Sequence, residues 1–239
     1  MKLHKLTPAR LIALGFLMII VLGAGLLLLP FASKGEAAKP LDALFTATSA
    51  TCVTGLIVRD TFTGWTVFGQ LVILALIQLG GLGLMTVITL VSFAAGKRLS
   101  LYDRKVLMQS AGNTTLSGVG GLIRRIVPFT FVLELTGAAL LATRFVPALG
   151  WGRGLYASVF HAISAFCNAG FDLMGMREPF SSMTAFVADP VVNLTLCALI
   201  VIGGLGFLVW RDVVRCRFRF SKFQLHTKLV LVTSGILIL

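Results

Sequence analysis

The chain has 239 residues, of which 57% are hydrophobic and 13% are charged, and its mean hydropathy is +0.95. This composition excludes a soluble domain and is typical of a protein that crosses a bilayer several times. The net charge of +12 does not indicate a nucleic-acid partner, because the basic residues lie in short segments between apolar runs and not along one face.

The first apolar run, residues 11–29, follows a basic N-terminus and precedes Pro30. A cleaved signal peptide is the alternative, because small residues follow the run. However, the run is longer than the roughly 7–15 residues of a signal-peptide core. We therefore predict a retained membrane helix.

Residues 41–56, LDALFTATSATCVTGL, form what we call the first re-entrant segment. It is too short and too polar to cross a membrane. Ten helical residues rise about 15 Å, roughly half of the ~30 Å hydrocarbon thickness. The pattern predicts a helix that descends to mid-membrane and an extended return over residues 51–56. Irregular backbone at that depth is tolerated only where it is buried in protein or lines a cavity.

Residues 67–93 predict a second span, with Gln78, Gly80, Gly81 and Gly83 near its centre. Small residues on a membrane helix favour close packing of another backbone, which we prefer to a hinge or gate. A polar stretch follows over residues 96–125.

Residues 126–145 predict a third span, with Pro128 near its start. This span contains Glu134, an acid that is costly in an apolar run unless it is paired or hydrated.

Residues 156–171, YASVFHAISAFCNAGF, form the second re-entrant segment. Aligned at an offset of 115 without gaps, the two segments share six identities in sixteen positions. The shared pairs are Phe45/Phe160, Ala47/Ala162, Ser49/Ser164, Ala50/Ala165, Cys52/Cys167 and Gly55/Gly170. An internal repeat decides the fold, and here the unit is a span, a re-entrant segment and a second span.

After the second re-entrant segment, Asp189 and Pro190 predict a helix cap and first turn. Residues 191–210 predict a fourth span, which carries GGLG at 203–206 where the second span has GGLG at 80–83. A basic loop, residues 211–228, leads to the apolar residues 229–239, which are too short to span. We expect a fifth span to begin there, as part of a longer protein.

The charges predict which side each loop faces. The N-terminus and the loops after the second and fourth spans hold fifteen of the twenty-one Lys and Arg residues. The segments that contain the re-entrant segments hold six of the nine acids. The positive-inside rule then places the N-terminus in the cytoplasm, and both re-entrant segments enter from outside.

A helix that enters from outside points its negative C-terminal end at the membrane centre, where it favours a cation. The return can offer carbonyl oxygens in place of a hydration shell. Gly55 and Gly170 suit that role because glycine lets the backbone turn without a side-chain clash. The four cysteines show no zinc spacing and are interpreted as small apolar residues or incidental thiols.

At these residues the chain resembles the Trk/Ktr/HKT superfamily of potassium transporters, and within it the Ktr-type membrane subunit. The resemblance covers nearly the whole chain. It rests on SATCVTGL (49–56), GQLVILALIQLGGLGLMT (69–86), GKRLSLYDR (96–104), FHAISAFCNAGF (160–171) and LHTKLVLVT (225–233). It implies an all-α integral membrane fold of repeated span–pore helix–span (M1-P-M2) units, four of which surround one pore.

By that resemblance the chain divides into a first repeat (1–95), a cytoplasmic loop (96–121), a second repeat (122–212), and a loop with a truncated third M1 (213–239). Two quarters of a potassium filter are implied, formed by Cys52, Val53, Thr54 and Gly55 and by Cys167, Asn168, Ala169 and Gly170. Cys52 stands where the family pattern has threonine, which matters little if the backbone carbonyl coordinates the ion.

The resemblance also implies a location and partners. The protein is expected in the cell membrane of a bacterium, as a homodimer of full-length subunits with a cytosolic nucleotide-binding regulatory subunit. Potassium is the transported ion, sodium an activator, and no cofactor is expected. The basic loops are candidates for contact with that partner or with anionic lipid. Their residues are Lys97, Arg98, Arg104, Lys105, Arg211, Arg215, Arg217 and Arg219.

Three other functions fit parts of the pattern. His161 and Cys167 are a possible enzyme pair, but no third orienting group accompanies them. An alternating-access transporter also uses broken helices, but two spans per unit give parallel repeats. A channel built from two chains with two filter segments each is the third alternative, and the apolar residues 229–239 are hard to explain in it.

Overall fold

The computed structural model describes residues 8–83 and 119–238. The helices are α1 (Pro8–Leu27), α2 (Pro40–Thr51), α3 (Thr61–Gly64), α4 (Val67–Leu82), α5 (Val119–Leu149), α6 (Trp151–Phe166), α7 (Pro190–Gly204), α8 (Phe207–Arg215) and α9 (Leu225–Ile238). Short 3-10 turns lie at Met174–Met176, Thr184–Phe186 and Phe220–Lys222. The described residues form helices and loops, with no strand beyond one isolated bridge between Ser33 and Trp65.

The helices pack as two similar groups of three. In the first group, α1, α2 and α4 contact one another, and in the second, α5, α6 and α7 do the same. Contact between α4 and α6 joins the two groups. One apolar core runs through both, with Trp65, Ile73, Phe145 and Phe160 fully buried.

The same close approach joins the long helices in each group. A Cβ atom on Gly23 of α1 would lie 2.7 Å from Leu76 of α4, and one on Gly137 of α5 would lie 2.6 Å from Leu199 of α7. Small residues at these points let the helices approach closely. The duplication seen in sequence is therefore also a duplication of helix packing.

Large apolar side chains are exposed on the outer faces of the long helices, among them Met18 on α1, Leu135 on α5 and Leu194 on α7. One described helix is long and apolar enough to cross a membrane by itself, over Val127–Leu149. The helices α7 and α8 meet that criterion together, and Ile12–Leu27, Val67–Leu82 and Leu225–Ile238 are shorter apolar helices. These surfaces suit contact with lipid rather than water.

Local sequence explains where several helices begin. Pro40 and Pro190 occupy the first turns of α2 and α7, where a missing N–H costs nothing. The Asp189 carboxylate accepts from the backbone N–H of Val191 at 2.9 Å and of Val192 at 3.2 Å. The predicted cap at Asp189 is confirmed.

Two predicted spans differ from the structure. The third was expected to begin at residue 126, but α5 is already helical from Val119, inside the expected polar loop. The Gly120–Gly121 pair lies in the first turn of this helix, and Pro128 lies inside it.

The fourth span, predicted as one helix over residues 191–210, is broken. Helix α7 ends at Gly204, Gly206 has φ +83°, and α8 leaves at 91° to α7. Helix α4 ends in the same way before Gly83, which has φ +80°. The predicted remainder of the second span, residues 84–93, lies outside the described residues.

Candidate functional site

The first re-entrant segment is a helix followed by a turn of unusual backbone. Helix α2 ends at Thr51, and the Cys52 N–H donates to Thr48 O at 2.8 Å. Val53 then adopts φ +58° and Gly55 φ +77°, so the return is not a simple extended strand as predicted. Between them, the Thr54 N–H donates to Ser49 O at 2.9 Å.

The second re-entrant segment repeats this geometry residue by residue. Helix α6 ends at Phe166, and the Cys167 N–H donates to Ile163 O at 2.9 Å. Asn168 adopts φ +58° and Gly170 φ +71°. The Ala169 N–H donates to Ser164 O at 2.7 Å. Each of these positions is 115 residues after its counterpart.

Left-handed backbone at a non-glycine residue is uncommon and, for a β-branched residue such as Val53, an outlier. Strained residues of this kind persist only where the surrounding structure holds them, and they cluster at functional sites. Their recurrence at Val53 and Asn168 marks both returns as a functional candidate.

A serine hydroxyl in each re-entrant helix donates a hydrogen bond to the last residue of the return, which is residues 51–56 in the first copy and 166–171 in the second. Ser49 Oγ donates to Leu56 O at 2.7 Å, and Ser164 Oγ donates to Phe171 O at 2.6 Å. Both serines lie inside the re-entrant helices and are buried. Sequence reasoning found this pair only as one of the six identities. A hydroxyl at the same interior helix position of both copies was the signal for its role.

Within the described part of the chain, the carbonyl oxygens in the middle of each return accept no hydrogen bond. Between described residues, no hydrogen bond reaches the carbonyl of any residue from 52 to 55 or from 167 to 170. The serine bonds begin at the next residue in each copy, Leu56 and Phe171. The eight sequence-predicted filter residues are thus the ones whose carbonyls remain available.

The two returns lie side by side. A Cβ atom on Gly55 would lie 2.7 Å from Ala169 O and 3.3 Å from Gly170 Cα. The structure therefore brings the two predicted groups of filter residues into contact at their glycines.

Glycines of α4 and α7 hold the ends of the re-entrant helices. A Cβ on Gly80 would overlap the Thr51 carbonyl, and one on Gly203 would overlap the Phe166 carbonyl. The packing role predicted for the glycines of the second span is therefore confirmed at Gly80, and Gly203 of α7 packs in the same way. It does not cover Gly83 and Gly206, where the helices end and the backbone is left-handed.

His161 is engaged on both ring nitrogens. Its Nδ1 lies 2.6 Å from Ala157 O, and its Nε2 accepts from the Leu173 N–H at 3.2 Å. The ring is 3% exposed and ties α6 to the chain after the second return. Sγ of Cys167 lies instead near Oε1 of Gln78, at 3.8 Å. This arrangement offers no base to the thiol.

Asp60 connects the loops that follow the two returns. Its Oδ1 accepts from the N–H groups of Phe62 and Thr63, and its Oδ2 accepts from the Phe180 N–H at 3.0 Å. The carboxylate is buried, so it fixes the loop after the first return against the loop after the second.

The basic loop after α7 is folded around Asp212. Its Oδ2 accepts from the Gln224 N–H at 2.8 Å, which ties α8 to the start of α9. Desolvation opposes the charge, but the hydrogen bonds from Gln224, Thr227 and Cys216 outweigh it and lower the pKa of Asp212. Arg211 and Arg215 lie on α8, and Arg217 and Arg219 follow it. Lys97, Arg98, Arg104 and Lys105 lie outside the described residues.

We call the hydrogen bond between Asp212 and the Gln224 N–H the clasp. The reactivity of the neighbouring Cys216 thiol shows whether the clasp is formed. Desolvation and the neighbouring Asp212 carboxylate raise the pKa of Cys216 above its ordinary value. We expect Asp212→Asn to lower that pKa, and hence to speed alkylation at pH 7.5, because the thiolate is the reactive form. Alkylation at residue 216 is measured by peptide mass spectrometry over a series of pH values.

Asp212 gives the stability of the folded loop a pH dependence of its own. Because its pKa is lowered, the stability it contributes is present above the ordinary pKa of an aspartate and is lost as pH falls through the lowered value. Asp189→Asn serves as a control for loss of a capping carboxylate elsewhere. An alkylation rate at residue 216 that is unchanged in Asp212→Asn would show that the clasp does not form.

Known proteins of one family match this chain over nearly its whole length. The family model for TrkH, described as a cation transport protein, matches residues 12–234. Ktr system potassium uptake protein B of Bacillus subtilis is 47% identical over 96% of this chain and 50% of that protein. The potassium/sodium uptake protein NtpJ of Enterococcus hirae is 42% identical over 98% of this chain and 51% of that protein. The Ktr system potassium uptake protein B of Vibrio alginolyticus is 41% identical over 96% of this chain and 50% of that protein. The chain thus spans about half the length of the curated relatives it matches, and these relatives are named as uptake proteins, not as enzymes.

Proposed function

The chain belongs to the TrkH family of cation transport proteins, and from that premise we propose that it is part of the membrane subunit of a Trk/Ktr-type potassium uptake system. In this proposal the two groups of helices are M1-P-M2 units. The two returns supply two quarters of a carbonyl-lined filter through which potassium enters the cell. The names of the relatives from Bacillus subtilis and Vibrio alginolyticus support potassium as the ion.

The observation that carries the proposal is the set of eight return carbonyls without a donor among the described residues. Backbone carbonyls that are left unpaired inside a membrane cost several kcal/mol per group. A potassium ion stripped of its hydration water is a partner that satisfies such oxygens. Left-handed residues at alternate positions let successive peptide units turn their oxygens toward one side.

The direction of the two re-entrant helices also favours a cation at the returns. The C-terminal ends of α2 and α6 run directly into the returns, and a helix C-terminus carries about half a negative charge. Both helices therefore favour a cation at the returns. We propose that they enter from the outside, with the N-terminus of the chain in the cytoplasm.

The serines provide the first test of this function. In the natural full-length protein, Ser49→Ala and Ser164→Ala should each lower the ratio of rubidium to sodium uptake by about fivefold, because losing one buried hydrogen bond costs ~1 kcal/mol and frees the carbonyl after the filter to turn. Uptake is measured in a host that requires external potassium.

Two matched controls isolate the closure of the return. Thr48 Oγ1 donates to Leu44 O within α2, and Ser158 Oγ donates to Gly154 O within α6, both at 2.7 Å. Thr48→Val and Ser158→Ala remove a hydroxyl from the same helices without touching a return and should preserve the ratio. A ratio that falls equally in all four variants would count against the proposal.

We further propose that the basic loops contact a cytosolic nucleotide-binding regulatory subunit, that full-length subunits pair as homodimers, that sodium acts as an activator and that no cofactor is bound. The name of the Enterococcus hirae relative includes both potassium and sodium. Contact of the same loops with anionic lipid is the simpler alternative.

Replacing Arg104 and Lys105 with Gln should reduce copurification of such a subunit with the full-length protein, because neutralising both residues removes two positive charges from the proposed contact. A second double variant, Arg217→Gln with Arg219→Gln, removes two charges from the other basic loop and should reduce copurification as well. Undiminished copurification in both double variants would leave only the contact with lipid.

A further inference from the structure

A buried polar bridge connects the two groups of helices next to the second return. Gln78 Nε2 of α4 donates to Glu134 Oε1 of α5 at 2.9 Å, and Gln78 Oε1 lies 3.8 Å from Sγ of Cys167. Glu134 is 3% exposed, and Cys167 is 8% exposed. A chain of three side chains thus links two long helices to the first residue of the second return.

This bridge is the exception to the duplication. The offset of 123 that aligns the GGLG motifs pairs Gln78 with Val201. The offset of 114 that aligns Gly23 with Gly137 pairs Glu134 with Ile20. Both counterparts are apolar. A carboxyl group inside a membrane protein is expensive and commonly marks a functional site, so the bridge is a candidate for a role that the repeated packing does not supply.

The bridge fixes the direction of the Gln78 amide. Because the amide nitrogen donates to Glu134, the amide oxygen is turned away from the carboxyl group and toward the Cys167 thiol. A thiol is a weak donor, and an amide oxygen in a buried site is a suitable acceptor for it. Glu134 therefore acts on Cys167 through Gln78.

Steric contact reinforces the same position. A Cβ on Gly81, three residues after Gln78, would overlap Sγ of Cys167 and would lie 3.2 Å from Cys167 Cα. Helix α4 of the first group thus packs directly against the start of the second return. Cys52, the counterpart of Cys167 in the first return, is exposed among the described residues.

We propose that Gln78 and Glu134 are positioning residues that set the second return through Cys167, and that they thereby tune the selectivity of the path. This inference rests on the proposed function. Glu134 Oε2 and the nearby Thr130 Oγ1, four residues earlier on α5, are buried without a hydrogen-bond partner among the described residues. Among the described residues, the hydrogen-bonded link from the carboxyl group to Cys167 therefore runs through Gln78.

The test measures rubidium and sodium uptake by the natural full-length protein and reports the ratio of their KM values. Gln78→Leu and Glu134→Leu should each change that ratio by about tenfold, which corresponds to ~1.4 kcal/mol. The double variant should be no worse than either single variant, because both remove the same bridge. Glu134→Gln keeps an acceptor for the Gln78 amide and should restore the wild-type ratio.

Thr136→Val on the same helix is the matched control, since Thr136 Oγ1 donates only to Val132 O and is exposed. A purely structural role would lower the amount of folded protein in the Leu variants and leave the KM ratio unchanged, which would overturn the inference. Additive effects of the two Leu substitutions would overturn it as well. Failure of the wild-type protein to prefer rubidium over sodium would instead contradict the proposed function.

Discussion

Gly55→Ser should reduce the discrimination between potassium and sodium by more than tenfold in the natural full-length protein. The residue has φ +77°, a conformation that costs a non-glycine residue about 1–2 kcal/mol. Its new Cβ would also lie 2.7 Å from Ala169 O, so the two returns must separate. The ratio of potassium to sodium uptake is measured in a host that requires external potassium.

Two further glycines separate strain from contact. Gly170 has φ +71°, but a Cβ there would meet only Gly55 Cα at 3.4 Å, so Gly170→Ser should have a smaller effect than Gly55→Ser. Gly150 has φ +83° and nothing within 4 Å of its Cβ position. Gly150→Ser introduces the same backbone strain at a position outside the returns, and it should leave the uptake ratio unchanged. Equal effects at all three positions would show that strain alone, and not the returns, governs selectivity.

Gly80→Val and Gly203→Val should each greatly reduce the yield of folded protein. The new side chains would overlap the Thr51 and Phe166 carbonyls, and overpacking of a tight contact costs about 1–3 kcal/mol or more. Relief requires that α4 or α7 move away from the end of a re-entrant helix. The yield of monodisperse protein after detergent extraction, measured by fluorescence-detected size-exclusion chromatography, is the readout.

Gly25→Val is the control for these substitutions. Gly25 lies in α1, and a Cβ there meets nothing within 4 Å, so its yield should match that of the wild type. Normal yields for Gly80→Val and Gly203→Val would mean that the spans do not press against the re-entrant helices.

Sequence alone predicted the features of the site that depend on residues close together in the chain. Residues 41–56 and 156–171 could be recognised because short polar segments between long apolar runs cannot span a membrane. The cap at Asp189 followed from the preference of aspartate for that position. The internal repeat then paired Gly55 with Gly170, which the structure brings into contact.

What the sequence did not predict depends on partners distant in the chain. Glu134 was known to need a partner, but Gln78 is 56 residues away, and no periodicity relates them. The bend at Gly206 was missed because a glycine in an apolar run fits close packing as well as a helix end. Only the observed backbone, with φ +83° at Gly206, separates the two.

The most direct test of the central claim is to locate the ion. Crystals of the natural full-length protein grown with thallium, which scatters anomalously and substitutes for potassium, show where dehydrated ions bind. The account predicts anomalous peaks in contact with the carbonyl oxygens of residues 52–55 and 167–170, which exchange for potassium and not for sodium. Thallium peaks confined to other parts of the protein, with none at these carbonyls, would contradict it.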